Sequence, residues 1–217
     1  MRVVCLWSGG KDSCFASYKA IELGYKVISL FNFTDSKGIN SLSHSLPAQI
    51  IQRQVEATGI PLFQKAMPKE TYRKDFKALI SKWKEEKGIE GIVFGDIYLQ
   101  EHRDWIDKVC QELGVKAIMP LWGVDTKRLI VEFVQVGFKA ITVATRADLL
   151  DKEWLGRKLD NDFIEELEAM GGIDFCGEKG EFHTFVYDGP IFKKAFEFSI
   201  GERILKDGHW FLELSPK

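Results

Sequence analysis

No two cysteines in this 217-residue chain stand at C-x-x-C spacing. The four present, Cys5, Cys14, Cys110 and Cys176, are scattered, which argues against both a zinc knuckle and a redox dithiol. The four histidines show no i, i+4 repeat, so no helical metal-ligand pair is suggested either. An excess of one charge is also missing. Thirty Lys and Arg against 32 Asp and Glu leave a net charge of −2, which argues against a protein that holds nucleic acid mainly by bulk electrostatics. No apolar run is long enough to cross a bilayer, and no signal-peptide pattern opens the chain. The sequence therefore reads as soluble and cytoplasmic, with neither a membrane nor a direct nucleic-acid partner. What remains, 45% hydrophobic and 29% charged residues without repeats or low-complexity segments, is the balance of a folded chain able to bury a real core.

Against these absences stands Ser8-Gly9-Gly10-Lys11-Asp12-Ser13, directly after the apolar run Val3-Val4-Cys5-Leu6-Trp7. A buried strand followed by two glycines, a lysine and two hydroxyls at the start of a helix suits a polyphosphate. Glycines let the backbone approach without a Cβ. The helix N-terminus offers unpaired N–H groups to an anion. Lys11 is expected to add a mobile cation, and Ser8 and Ser13 to donate to phosphate oxygens. No G-x-x-x-x-G-K-[ST] frame exists, so this is not a Walker A loop. The run resembles the SGGxDS pyrophosphate loop of the N-type ATP pyrophosphatases. The plainer reading, a tight strand-to-helix turn capped by Ser8 or Asp12, explains a lone Gly-Gly better than all six residues in order.

Strand-like and helix-like segments alternate through the first half. The pattern predicts strands at Arg2–Trp7, Tyr25–Phe33, Pro61–Met67, Gly91–Gly95 and Lys116–Met119. Helices are expected at Lys11–Leu23, Leu46–Thr58, Lys69–Lys87 and Leu99–Leu113. This rhythm implies an α/β fold: a doubly wound, parallel five-stranded sheet with ligands outside the carboxyl ends of its strands. Near Pro120-Leu121-Trp122 the rhythm changes. Helices at Asp125–Val136 and Asn161–Met170 and strand-like runs at Lys139–Thr145, HTFVYDG, FEFSI, ERILKDG and HWFLEL predict a smaller α+β C-terminal domain. The expected division is 1–122 and 123–217. Asp207-Gly208, between two of the strand-like runs, is a strong hairpin signal.

Three further groups of residues carry possible chemistry. Gly95 and Asp96 end the fourth strand beside the phosphate loop, where Asp96 is placed to bind Mg²⁺ on nucleotide phosphates and Arg103 to reach an anion. A helix cap and a solvated face account for them equally well. The block Cys176-Gly177-Glu178-Lys179-Gly180-Glu181-Phe182-His183-Thr184 is unusually polar for a connection. Glu178 and Glu181 suit cation recognition or acid/base work and His183 proton transfer, although spacing alone favours a polar hairpin loop. His44 is either a lining residue of the nucleotide site or a helix-entry residue. Leu121-Trp122 reads as a packing pair, and Arg146, Arg157 and Lys158 as a solvated strip.

Together these residues resemble the diphthine–ammonia ligase (diphthamide synthetase) family of the adenine-nucleotide α-hydrolase-like superfamily. The resemblance rests on SGGKDS at Ser8–Ser13, His44 with Gly59-Ile60-Pro61-Leu62, and GDI at Gly95–Ile97. It continues through Glu101-His102-Arg103, Pro120-Leu121-Trp122, Pro190 and, most specifically, GEKGEFHT at Gly177–Thr184. It implies a HUP-type first domain, a compact chain of archaeal kind, and ATP with Mg²⁺ as cofactors. It further implies amidation of diphthine on translation elongation factor 2 with ammonium, through an acyl-adenylate. Lys11, Asp12, Glu178, Glu181 and His183 are the implied catalytic residues. Ser8, Gly9, Gly10, Lys11, Asp12, Ser13, His44, Gly95, Asp96 and Arg103 are the implied nucleotide-binding set. The acids of the second block would stand where the second domain closes over the α-phosphate. No glutaminase domain is expected, and a homodimer is left open. Another adenylating ligase, an RNA-modifying relative or a non-catalytic ATP sensor are the alternatives. The missing C-x-x-C speaks against thiolation, and the GEKGEFHT block against a sensor.

Overall fold

A computed structural model describes residues 1–43 and 46–217. Its first half runs β1 (Arg2–Leu6), α1 (Lys11–Glu22), β2 (Lys26–Thr34), α2 (Ala48–Thr58), β3 (Leu62–Ala66), α3 (Tyr72–Lys87), β4 (Gly91–Val93), α4 (Gln100–Leu113) and β5 (Lys116–Ile118). The five strands are parallel and lie in the order β3-β2-β1-β4-β5, the doubly wound α/β sheet expected from the alternation. The period of two along the first strand explains the two layers. Val3, Cys5 and Trp7 join one core with residues of α1 and α2; Val4 and Leu6 face the other, with Phe76, Leu79, Ile106 and Val109 of α3 and α4. Strand order reverses between β1 and β4, so their carboxyl ends open a crevice.

The second half supplies α5 (Thr126–Gln135), β6 (Lys139–Arg146), α6 (Asn161–Met170), β7 (Phe182–Asp188), β8 (Phe198–Lys206) and β9 (His209–Pro216). Its strands form an antiparallel sheet in the order β7-β6-β9-β8. One expectation needs correction. FEFSI and ERILKDG are not two strands joined by a glycine turn but belong to the single strand β8, whose register against β9 shifts between Ile200 and Arg203. The one extra residue near Gly201 is absorbed as a bulge rather than a reversal. Asp207 and Gly208, with φ of 50° and 75°, make the expected hairpin turn.

The halves share a core. Helix α1 packs Phe15 and Tyr18 against Phe138, at 6.1 and 5.6 Å between ring centroids, and Phe15 against Phe133 of α5 at 5.9 Å. One apolar cluster runs from Val3 and Cys5 through α1 to Phe182, Phe185 and Leu212 of the second sheet. No helix among the described residues is long and apolar enough to cross a membrane.

Candidate active site

The loop after β1 is held by short-range bonds of its own residues. Ser8 N–H donates to Ser13 Oγ at 3.2 Å, the two hydroxyls lie 3.0 Å apart, and Gly10 N–H donates to Ser8 Oγ at 3.2 Å. Ser13 Oγ in turn donates to the Gly10 carbonyl. Gly10 is the N-cap of α1 and itself offers no side-chain cap; Thr184 Oγ1 takes the Lys11 N–H at 3.0 Å, and the Asp12 and Ser13 N–H groups are left without an intrahelical partner. Two glycines are required by geometry. Gly9 has φ +86°, and a Cβ there would stand 2.5 Å from Ile51 Cδ1. At Gly95 a Cβ would stand 2.9 Å from the Asp12 carbonyl carbon and 3.0 Å from Ser13 N, so the end of β4 abuts the start of α1 backbone to backbone.

A cleft of about 440 Å³ opens over this junction. Ser8, Asp12 and Ser13 line it from the loop, Gly95 and Asp96 from the end of β4, and Glu178 and His183 from the second half. Phe31, Phe33, Leu42 and Tyr72 form an apolar wall. The structure thus brings both sequence blocks to one place. Asp96 pairs with His102 Nδ1 at 2.9 Å, and Glu178 Oε1 accepts the Ile97 N–H at 3.0 Å. Burial is the main cause that raises the Glu178 carboxyl to about 7; the Ile97 bond opposes it, and the nearby Asp12 and Asp96 carboxylates add to it. With its pKa near neutrality, a carboxyl in this position can both take and return a proton.

Other expected site residues lie elsewhere. Glu181 is buried and does not line the cleft: its oxygens accept the Asp174 N–H at 3.3 Å and the Lys179 N–H at 3.0 Å, which shapes its own turn. Arg103 lays its guanidinium over the Trp122 ring at 4.8 Å and pairs with Asp107, outside the cleft walls. Lys11 is not the mobile cation expected from the sequence. It is 4% exposed, with Nζ bonded to both Asp12 carboxylate oxygens and to the Cys176 carbonyl. Burial works against its charge, but the Asp12 carboxylate together with Cys176 and Glu178 more than compensates, and its pKa is raised. His44 falls outside the described residues. Arg146 and Arg157 are spent on Asp148 and Glu166.

Two organising residues were missed. Gln54, fully buried, accepts from Trp7 Nε1 at 2.8 Å and donates to the carbonyls of Gly9 and Val186. Its signal was a polar residue on the apolar stripe of Ile50, Ile51, Val55 and Thr58. Asp174 Oδ1 accepts the N–H groups of Cys176 and Glu178, and its Oδ2 the Thr126 hydroxyl, so it folds the turn that presents Glu178. An Asp two residues before a Cys-Gly pair is an Asx-turn signal.

His183 yields a stability prediction. Burial, reinforced by the Lys11 charge, lowers its pKa from 6.5 to about 4. A lowered folded-state pKa means the neutral ring stabilises the fold above pH 6.5, and that contribution is lost as the pH falls toward 4. The loss is expected to reach at most about 3 kcal/mol. Denaturant titrations of wild type and His183→Gln near the two ends of this window measure it. The variant is expected to lose less stability than the wild type.

Residues 1–117 match the diphthamide synthase N-terminal domain, and residues 125–215 the diphthamide synthase C-terminal domain. A diphthine–ammonia ligase of Mus musculus is 30% identical, over 97% of this chain and 88% of the relative. Those of Danio rerio and Homo sapiens are each 28% identical, over 94% and 97% of this chain and 89% and 88% of the relatives. Among solved structures, a chain described as a "predicted subunit of tRNA methyltransferase" from Methanocaldococcus jannaschii is 16% identical. It aligns over 89% of this chain and 99% of that chain at a TM-score of 0.49, a likeness too distant to bear on function.

Proposed function

The chain belongs to the diphthamide synthase family, and from that membership we propose that it amidates diphthine on translation elongation factor 2, in the cytoplasm, using ATP and ammonium. The observation that carries the reading is the single cleft in which Ser8, Asp12 and Ser13 meet Asp96, Glu178 and His183. A nucleotide loop alone leaves the acceptor open; the second block standing over it gives acceptor and nucleophile a place at the reacting phosphate.

The chemistry follows from a poor leaving group. A carboxylate does not exchange oxygen for nitrogen directly, and adenylation divides the step in two. A diphthine carboxylate oxygen bonds to the α-phosphorus, and the bond from that phosphorus to the bridging oxygen breaks. Pyrophosphate leaves toward the Ser8–Ser13 loop, where the first-turn N–H groups of α1 take up its charge. Nitrogen then attacks the acyl carbon, and the bond to AMP breaks. Between ammonium and the carboxamide the nitrogen sheds two protons: one goes to solvent as ammonium becomes ammonia, and the Glu178 carboxylate of the cleft takes the second as the amide forms.

Magnesium fits this cleft as part of the nucleotide rather than as a resident ion. Among the described residues no three His, Cys, Asp or Glu side chains are grouped to hold a metal by themselves. Asp12 and Asp96 are two carboxylates at the phosphate end, and one or two carboxylates plus phosphate oxygens is the usual magnesium donor set. The ion would neutralise charge on the departing pyrophosphate. The test is direct. Protein, diphthine-bearing elongation factor 2, MgATP and ammonium are incubated, and the diphthine peptide is followed by mass spectrometry alongside the nucleotides. Carboxamide formed in equal amount with AMP and pyrophosphate is expected. An unchanged peptide would sink the amidation, and ADP with phosphate would sink the adenylate.

A further inference from the structure

The Ser8–Ser13 loop is joined to the second half of the chain at three points. The Gly9 carbonyl accepts the Val186 N–H of β7 at 3.0 Å. The Lys11 N–H, the first donor that the start of α1 leaves without an intrahelical partner, is taken by Thr184 Oγ1 at 3.0 Å. The Lys11 ammonium reaches the Cys176 carbonyl, at the head of the turn that presents Glu178. An ammonium carries three donors and no acceptor. Two of them meet Asp12 Oδ1 and Oδ2, at 2.9 and 2.8 Å, and the third meets Cys176. Its remaining face lies over the Phe182 ring, 5.6 Å from the centroid. No donor is left for a phosphate.

We infer that Lys11 is a positioning residue that fastens the nucleotide loop to the 174–184 turn, setting Glu178 and His183 against the phosphate site, and that it is not a phosphate ligand. The lysine of the loop is thereby assigned to the other half of the cleft. The inference rests on the proposed nucleotide site and adds a division of labour within it. Backbone N–H groups and magnesium meet the phosphates, while the one buried lysine of the loop holds the acceptor side in register.

The two roles separate by measurement. A lysine bonded to phosphate is worth about tenfold to a hundredfold in nucleotide affinity. A fastening lysine is worth little there, but its loss displaces Glu178, and a misplacement of about 1 Å costs roughly a hundredfold in turnover. MgATP affinity by calorimetry, kcat and KM for amidation, and backbone hydrogen exchange over 174–184 are measured for wild type and Lys11→Met. Expected are ATP affinity and KM within about threefold of wild type, kcat down by about a hundredfold, and exchange over 174–184 faster by about tenfold or more. An ATP affinity loss of about tenfold or more, with exchange unchanged, would overturn the assignment. If Lys11→Met does not fold, Thr184→Val removes the tie to the Lys11 N–H while leaving the lysine side chain in place. Faster exchange over 174–184 at unchanged ATP affinity is then expected, and unchanged exchange overturns the inference. A wild-type protein that binds no MgATP would instead bring down the nucleotide reading itself.

Discussion

Glu178→Gln is expected to lower amide formation by about 10²–10⁴-fold, the usual worth of a positioned proton-transfer group. The substitution keeps the acceptor oxygen for the Ile97 N–H and removes only the ability to take a proton. Adenylation requires no proton from the nitrogen, so ATP–pyrophosphate exchange in the presence of diphthine substrate but no ammonium should persist. Hydroxylamine, far less protonated than ammonium near neutrality, should bypass the defect and still yield the hydroxamate. Amidation by the variant at the wild-type rate, or equal loss of exchange and hydroxamate formation, would remove Glu178 from the nitrogen step. Glu181→Gln is a contrasting control. Glu181 accepts two backbone N–H groups inside its own turn, and a carboxamide offers only one acceptor oxygen, so that variant is expected to fail in all three assays together.

Gly95→Ala is expected to be the most damaging change that alters no functional group. A methyl at this position meets the Asp12 carbonyl carbon and Ser13 N, which cannot rotate aside as a side chain would. Either β4 or the first turn of α1 must shift. Overpacking of this kind costs about 1–3 kcal/mol. A shift of about 1 Å at the reacting phosphate costs roughly a hundredfold in turnover. Thermal unfolding and amidation kinetics read the two effects separately. Gly88→Ala, strained by a φ of +64° at a helix end but with nothing within 4 Å of the added carbon, is expected to lose stability without losing turnover, and so separates the two effects. Turnover of Gly95→Ala at the wild-type rate would mean that the close approach at the β1/β4 switch point does not set the site.

Much of this arrangement was legible in the sequence because the signals were local. The alternation of apolar runs with 3.6-period segments fixes five strands and their covering helices. The Ser8–Ser13 run places a glycine-rich loop at the head of the first helix, beside the carboxyl end of β4. What was not legible depended on which distant groups meet. Nothing near Lys11 in the chain announces that the Cys176 carbonyl, 165 residues away, accepts its proton. The same applies to the two glutamates of GEKGEFHT. They look equivalent in spacing, yet one faces the cleft and the other is consumed by the turn, a choice made by Asp174 and the Ile97 N–H. Gln54 was missed for a different reason. A polar residue on an apolar helix stripe reads as a flaw until its partners, Trp7, Gly9 and Val186, are seen. Strand β8 shows the reverse error, in which a glycine promised a turn and delivered a bulge.

The core that α1 shares with both sheets has a consequence for the acyl-adenylate. The sequence suggested a second domain closing over the α-phosphate, but here the two halves are already packed together through Phe15, Phe133, Phe138 and Phe182. With the two halves joined by one core, a mixed anhydride formed in an open cleft would be exposed to hydrolysis. On the proposed chemistry the shield against water must then arrive with the acceptor. On that proposal the elongation factor carrying the diphthine would itself be the cover, and the activated carboxylate would be protected only while the protein that owns it stays docked.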